Sequence, residues 1–147
     1  MIRLYYWRGH GPIGSLVRHA SSSPWDHVAV SVEIDGLSSY FESYPGAGTR
    51  LVPVEGDAPP EGTQDTGREW QPGQIAEVLR RLSRRRYSFW NDLLAGVGIN
   101  RRSRAIQCAQ ATSLILQVLG IAVDEDTPGD VGEAVERITG NPVRMVR

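Results

Sequence analysis

The stretch HVAVSVEIDGLSSYFESY, residues 27–44, restricts the fold of this chain more than any other. Successive side chains of a strand point to opposite faces, so Val28, Val30, Val32 and Ile34 form one face and His27, Ala29, Ser31 and Glu33 the other. Asp35-Gly36 then supplies the two residues of a tight hairpin loop, because a type I′ turn needs positive φ at both central positions. With those two as the loop, Ile34 faces Leu37, Ala29 faces Glu42 and His27 faces Tyr44. The second strand runs from Leu37 to about Tyr44, and Val28, Val30, Val32, Leu37 and Phe41 are left for the core.

This register makes His27 and Glu42 diagonal neighbours on the face turned away from the core. Such pairs lie roughly 7–8 Å apart at the backbone, within reach of a long side chain. A carboxylate there can fix the tautomer of an imidazole and stabilise its protonated form. The hairpin alone equally admits a solvated polar face on which the two happen to be near, and a one-residue slip would separate them.

The rest of the chain reads as strands first and helices later. IRLYYW alternates Ile2, Leu4 and Tyr6 as a first strand, and GPIGSLVRHA reads as a short helix or turn. Between Val52 and Gln74 the sequence is rich in Pro, Gly and acids and predicts a loop or mobile flap. QIAEVLRRLSRRRY places Ile75, Val78, Leu79 and Leu82 on one helical face, and YSFWNDLLAGVG predicts a second short helix. AIQCAQATSLILQVLGI is the most apolar helix, with Gly120 as its stop. DVGEAVERITG predicts a last amphipathic helix and NPVRMVR an edge strand. The order predicts an α+β fold, an antiparallel sheet packed against helices. At 147 residues the expectation is one domain spanning 1–147, since domains commonly run to roughly 100–150 residues.

A net charge of −1 argues against a protein built for non-specific nucleic-acid binding. The charge is uneven: all 16 basic residues are arginine, and eight lie between Arg80 and Arg104 against the single acid Asp92. That segment reads as a solvated helix face plus a basic loop, or as a patch for an anionic partner. No apolar run approaches the roughly 20 residues a membrane span needs, so no transmembrane segment is expected. MIRLYYWRGH lacks a secretory signal pattern. The default expectation is cytoplasmic, with a phage product or export by another route giving the same sequence. Oligomeric state is not readable.

Cys108 is the only cysteine, which excludes an internal disulfide and any multi-thiolate metal site. It is an inert core residue, an intermolecular bridge or a reactive thiol. Its place in the first turn or two of its helix, after a cap at Ser103 and several arginines, favours thiolate, because helix dipole and cations both stabilise the anion. Cys108, Ala111, Thr112 and Ile115 share one helical face turned toward the sheet. His10 and His19 have no acid partner at strand spacing and read as structural or exposed. A metal site from His10, His27 and Cys108 lacks the usual ligand-pair spacing.

PWDHVAVSVE followed by YFESYPGAGTR, RRYSFWNDLL and QCAQATSLILQVLGI resembles the circularly permuted branch of the NlpC-type cysteine peptidases and amidases. These are papain-like proteins related to the lecithin retinol acyltransferases, and the resemblance spans roughly Gly14 to Ile121. It implies a permuted papain-like fold, His27 as general base, Glu42 as the orienting residue, Cys108 as nucleophile and Tyr87 bordering the site. Gln107 and Tyr44 are expected to line it. Many members carry Cys-Ser-Glu where this chain has Cys108-Ala109-Gln110, an aromatic where Gln107 stands, and Asp where Ser88 stands. The implied chemistry is hydrolysis through an acyl-enzyme thioester, with no cofactor or metal required. The expected substrate is a peptide amide, of the cell wall first, with a lipid ester or amide second. A non-catalytic binding module on the same scaffold is the alternative.

Overall fold

The computed structural model describes residues 1–9, 15, 18–19, 23–34, 36–44, 47–55, 57–82 and 107–146. Its strands are β1 (Arg3–Trp7), β2 (His27–Ile34), β3 (Leu37–Tyr44), β4 (Gly48–Pro53), β5 (Gly62–Asp65) and β6 (Arg144–Met145). They form one antiparallel sheet in the order β4-β3-β2-β1-β5-β6. The helices are α1 (Gln74–Leu82), α2 (Cys108–Val118) and α3 (Pro128–Thr139). The chain is thus an α+β fold in which helices pack on an antiparallel sheet.

The β2–β3 hairpin has the register its turn dictates, with Ile34 opposite Leu37 and Val30 opposite Phe41. β1 continues the same alternation, pairing Leu4 with Val30 and Tyr6 with Val28. One face therefore carries Leu4, Tyr6, Val28, Val30, Val32 and Phe41. These side chains form a single core with Val78 and Leu82 of α1, Ala111, Ile115 and Leu116 of α2, and Val131, Ala134 and Val135 of α3. Each fully buried large apolar side chain contributes about 1.5–3 kcal/mol, so this face carries most of the fold's stability.

Leu37 is 67% exposed rather than part of that core. It keeps the predicted side of the strand, but at the hairpin turn even its partner Ile34 is only half-buried, so the covered part of the sheet ends there. In α1, Val78 and Leu82 are buried whereas Leu79 is exposed, which narrows the apolar stripe.

The segment expected to be a loop or flap between Val52 and Gln74 contains β5, and β4 ends within it. Hydropathy misses β5 because its inward residue is polar. Gln64 is buried and fully satisfied: its amide donates to the carbonyls of Gly132 and Asn141 at 2.9 and 2.7 Å, and its oxygen accepts from the Tyr6 hydroxyl at 2.7 Å. A buried amide bonded this way replaces the water it lost.

α2 begins at Cys108 itself, with Gln107 in the extended N-cap position and no side-chain cap. Ser103, the expected cap, lies outside the described residues, as do the predicted YSFWNDLLAGVG helix, most of GPIGSLVRHA and the arginines from 84 to 104. Arg80 and Arg81 are described and both bond Glu77, so this end of the basic segment is an ion-paired helix face. Gly120, with φ of 77°, follows α2 in the left-handed conformation that glycine adopts without strain. The Thr127 hydroxyl caps α3 by accepting from the Asp130 N–H, and Pro128 stands at the first turn. NPVRMVR supplies the expected edge strand, β6. Among the described residues no helix is long and apolar enough to cross a membrane.

Candidate active site

Strand alternation puts His27, Ala29, Tyr40 and Glu42 on the sheet face opposite the helices. His27 opens β2 opposite Trp7 of β1, and its Nε2 lies 2.6 Å from Oε2 of Glu42. The two side chains are 17% and 3% exposed, so the bond is sheltered from water. Arg50 of β4 stands directly across from Glu42 and reaches Oε1 with Nε at 2.6 Å and Nη2 at 2.5 Å.

Burial pushes the Glu42 carboxyl upward, but the hydrogen bonds and charges of His27 and Arg50 outweigh it and hold the carboxyl below its ordinary value. At neutral pH Glu42 is therefore an anion, which can only accept. His27 must then donate from Nε2, and in the neutral ring Nδ1 is the basic nitrogen.

Aromatic rings wall this face. Trp7 packs 5.4 Å from the imidazole centroid, and Tyr44 meets it edge-on at 6.0 Å. The Arg50 guanidinium lies 4.7 Å above the Tyr44 ring. Trp7 donates its indole N–H to the Ala58 carbonyl at 3.0 Å, and the Tyr40 hydroxyl donates to the Asp57 carboxylate. Residues 57 and 58 are thereby strapped to the face that carries the imidazole.

Cys108 is buried among the core residues, on the helix side of the sheet. Its sulfur lies 3.9 Å from the carbonyl oxygen of Asp26, the residue that immediately precedes His27. Asp26 is itself held: both carboxylate oxygens accept the Gly9 N–H at 2.8 Å, and one accepts from Arg18 Nη1 at 3.1 Å.

The structure therefore joins two of the three expected catalytic side chains, His27 and Glu42, and stations the third against the peptide entering β2. No hydrogen bond links Cys108 to the His27 ring among the described residues. Tyr44 lies beside His27 as expected. Gln107 does not line this surface, because its buried amide turns to the Asp126 carbonyl at 2.6 Å and ties the start of α2 to the loop before α3. Tyr87 and His10 lie outside the described residues, and His19 is exposed. Among the described residues no cluster of three or more His, Cys, Asp or Glu could hold a metal ion. Two clefts of about 430 and 420 Å³ lie around Met1 and Glu69, and neither is lined by Cys108, His27 or Glu42.

Arg50, Trp7 and Asp26 escaped the sequence reading. The pairing of β4 with β3, which places Arg50 opposite Glu42, leaves no alternation in GTRLVP by which the sequence could have shown it.

No family model matches this sequence, and no curated protein matches it. The fold is similar to a crystal structure described as metalloprotein yiiX from Escherichia coli O157:H7, DUF1105. The TM-score is 0.60 and the identity 16%, over 82% of this chain and 67% of that one. At that identity the likeness concerns the fold alone.

Proposed function

We infer that this chain is a cysteine hydrolase with a permuted papain-like fold, acting through Cys108, His27 and Glu42. The observation that carries the reading is the buried Glu42–His27 bond, which fixes Nε2 as donor and leaves Nδ1 basic. Cys108 at the first position of α2 supplies the thiol, favoured as thiolate by the helix N-terminus. His27 Nδ1 takes the thiol proton, the sulfur attacks a carbonyl, and the tetrahedral oxyanion collapses to a thioester as the imidazolium protonates the leaving group. Water activated by the same nitrogen then releases the acid and frees the thiol.

This sequence of steps requires Sγ and Nδ1 to come within hydrogen-bond reach through a turn of the Cys108 side chain on substrate binding, with the Glu42–His27 bond kept. Catalytic bonds are commonly long or unformed before substrate arrives. The proposed substrate is an amide of a cell-wall peptide, with lipid esters or amides as the next class to screen.

A binding module that keeps the scaffold without turnover is the second reading. The 3% exposure of Cys108 favours it.

The rate of Cys108 alkylation by iodoacetamide as a function of pH separates the two. The hydrolase reading expects reactivity well below the free-thiol range of about 8.5, and a profile that changes in His27→Ala. An inert thiol, or one that titrates normally and ignores His27, removes the nucleophile and leaves the binding module.

A further inference from the structure

Glu42 receives two partners, and they divide its oxygens. Nε and Nη2 of Arg50 converge on Oε1, at 2.6 and 2.5 Å, while among the described residues His27 Nε2 alone occupies Oε2 at 2.6 Å. An arginine facing a carboxylate commonly takes both oxygens in a fork-to-fork pair, which here would compete with the imidazole. The guanidinium is kept from that arrangement by its seat over Tyr44, 4.7 Å away, and Tyr44 in turn abuts His27 edge-on at 6.0 Å.

We propose that Arg50 is the positioning residue of this pair: by occupying Oε1 it commits Oε2 to His27 and so fixes which imidazole nitrogen carries the proton. The physical need is specific. A carboxyl as buried as Glu42 tends toward its neutral form, and a protonated Glu42 would donate to Nε2. The proton of a neutral ring would then sit on Nδ1, and the base would be gone. The other ionisable groups on this sheet face include Tyr44, the bonded Tyr40–Asp57 pair and, toward the far end of the strands, Tyr5, Glu33 and the bonded Arg3–Asp65 pair; none of them is seen to bond Glu42. The β1 neighbour of the imidazole, Trp7, carries no charge. Arg50 is thus the one cation seen to bond Glu42 permanently among the described residues. Its importance for catalysis rests on the hydrolase reading, whereas its control of the imidazole stands on the geometry alone.

The test is NMR of the intact chain, reading the ¹³C carboxyl titration of Glu42 and the solvent exchange of the His27 Nε2 proton. Glu42→Gln and His27→Gln assign the signals. The wild type is expected to show a Glu42 midpoint below the ordinary glutamate range and a slowly exchanging Nε2 proton. In Arg50→Met the midpoint should rise by about one pH unit or more, and Nε2–H exchange should accelerate. Arg50→Lys, a point charge without the fork, should recover part of the midpoint but not the slow exchange.

An Arg50→Met protein with unchanged midpoint and exchange overturns the proposal. Should Arg50→Met fail to fold, Arg50→Lys decides, and wild-type values for both readouts overturn it. If both readouts move as expected while Cys108 alkylation ignores His27→Ala and Arg50→Met alike, the role of Arg50 stands and the hydrolase reading falls.

Discussion

The backbone N–H of Gly9 points between the two carboxylate oxygens of Asp26, 2.8 Å from each. An ideal Cβ at position 9 would stand 2.3 Å from Oδ2, so no larger residue fits while that carboxylate keeps its place. The same aspartate bonds Arg18 and offers its carbonyl to the Cys108 sulfur. The entry to β2 is therefore anchored where the Cys108 sulfur meets the backbone just before His27.

Gly9→Ala should displace the Asp26 carboxylate and loosen this anchor. Overpacking of this kind costs about 1–3 kcal/mol, readable as a lower urea midpoint, and the alkylation rate of Cys108 should change with it. Unaltered stability together with an unaltered alkylation rate would mean that Asp26 turns aside freely and anchors nothing.

Removing the carboxylate of Glu42 should be the costliest change on the polar face. Breaking a buried pair costs about 3–5 kcal/mol, and because Arg50 can still reach water the expected loss for Glu42→Ala is near the lower end. Chemical denaturation at neutral pH measures it; a loss under about 1 kcal/mol would show that Glu42 is not held as a buried anion.

Acid should erase the advantage of Glu42. Its native carboxyl titrates below its ordinary value, so its contribution is complete above the unfolded glutamate range of about 4.3 and is lost as pH falls through the lower native midpoint. Stability of the wild type relative to Glu42→Gln, measured by denaturant at a series of pH values, should shrink across that window. A difference that grows on acidification contradicts the depressed midpoint.

Gln64→Ala should destabilise far beyond the loss of apolar contact. It strips partners from the Tyr6 hydroxyl and from the carbonyls of Gly132 and Asn141. At about 1–3 kcal/mol for a buried group left unsatisfied, with the Gly132 carbonyl still holding its bond within α3, a total of roughly 2 kcal/mol or more is expected in thermal or urea unfolding. A near-neutral variant would indicate that water enters and takes over the three bonds.

The parts of this molecule that were legible in advance are those where a local rule leaves one solution. Asp35-Gly36 with alternating valines fixes the hairpin register, and the register alone puts His27 beside Glu42. Gly120 marks the end of α2 because it stands at positive φ. Arg50 was not legible, since its role depends on β4, whose sequence GTRLVP has no clean alternation. β5 was hidden for a different reason: Gln64 is buried by hydrogen bonds rather than by apolarity, and no hydropathy pattern registers that. The start of α2 was misplaced because Gln107 caps nothing with its side chain, leaving no cap residue to read.

The imidazole and its carboxylate stand only 15 positions apart on a single hairpin, whereas the contact between Cys108 and Asp26 closes a loop of 82. In a chain emerging from the ribosome, the His27–Glu42 pair can assemble while Cys108 is still unmade. During refolding the same asymmetry applies, since a short hairpin closes at lower entropic cost than a long loop. Shielding of this one thiol from an alkylating reagent thus serves as a clock for the arrival of the C-terminal helices on the sheet, with no probe added to the chain.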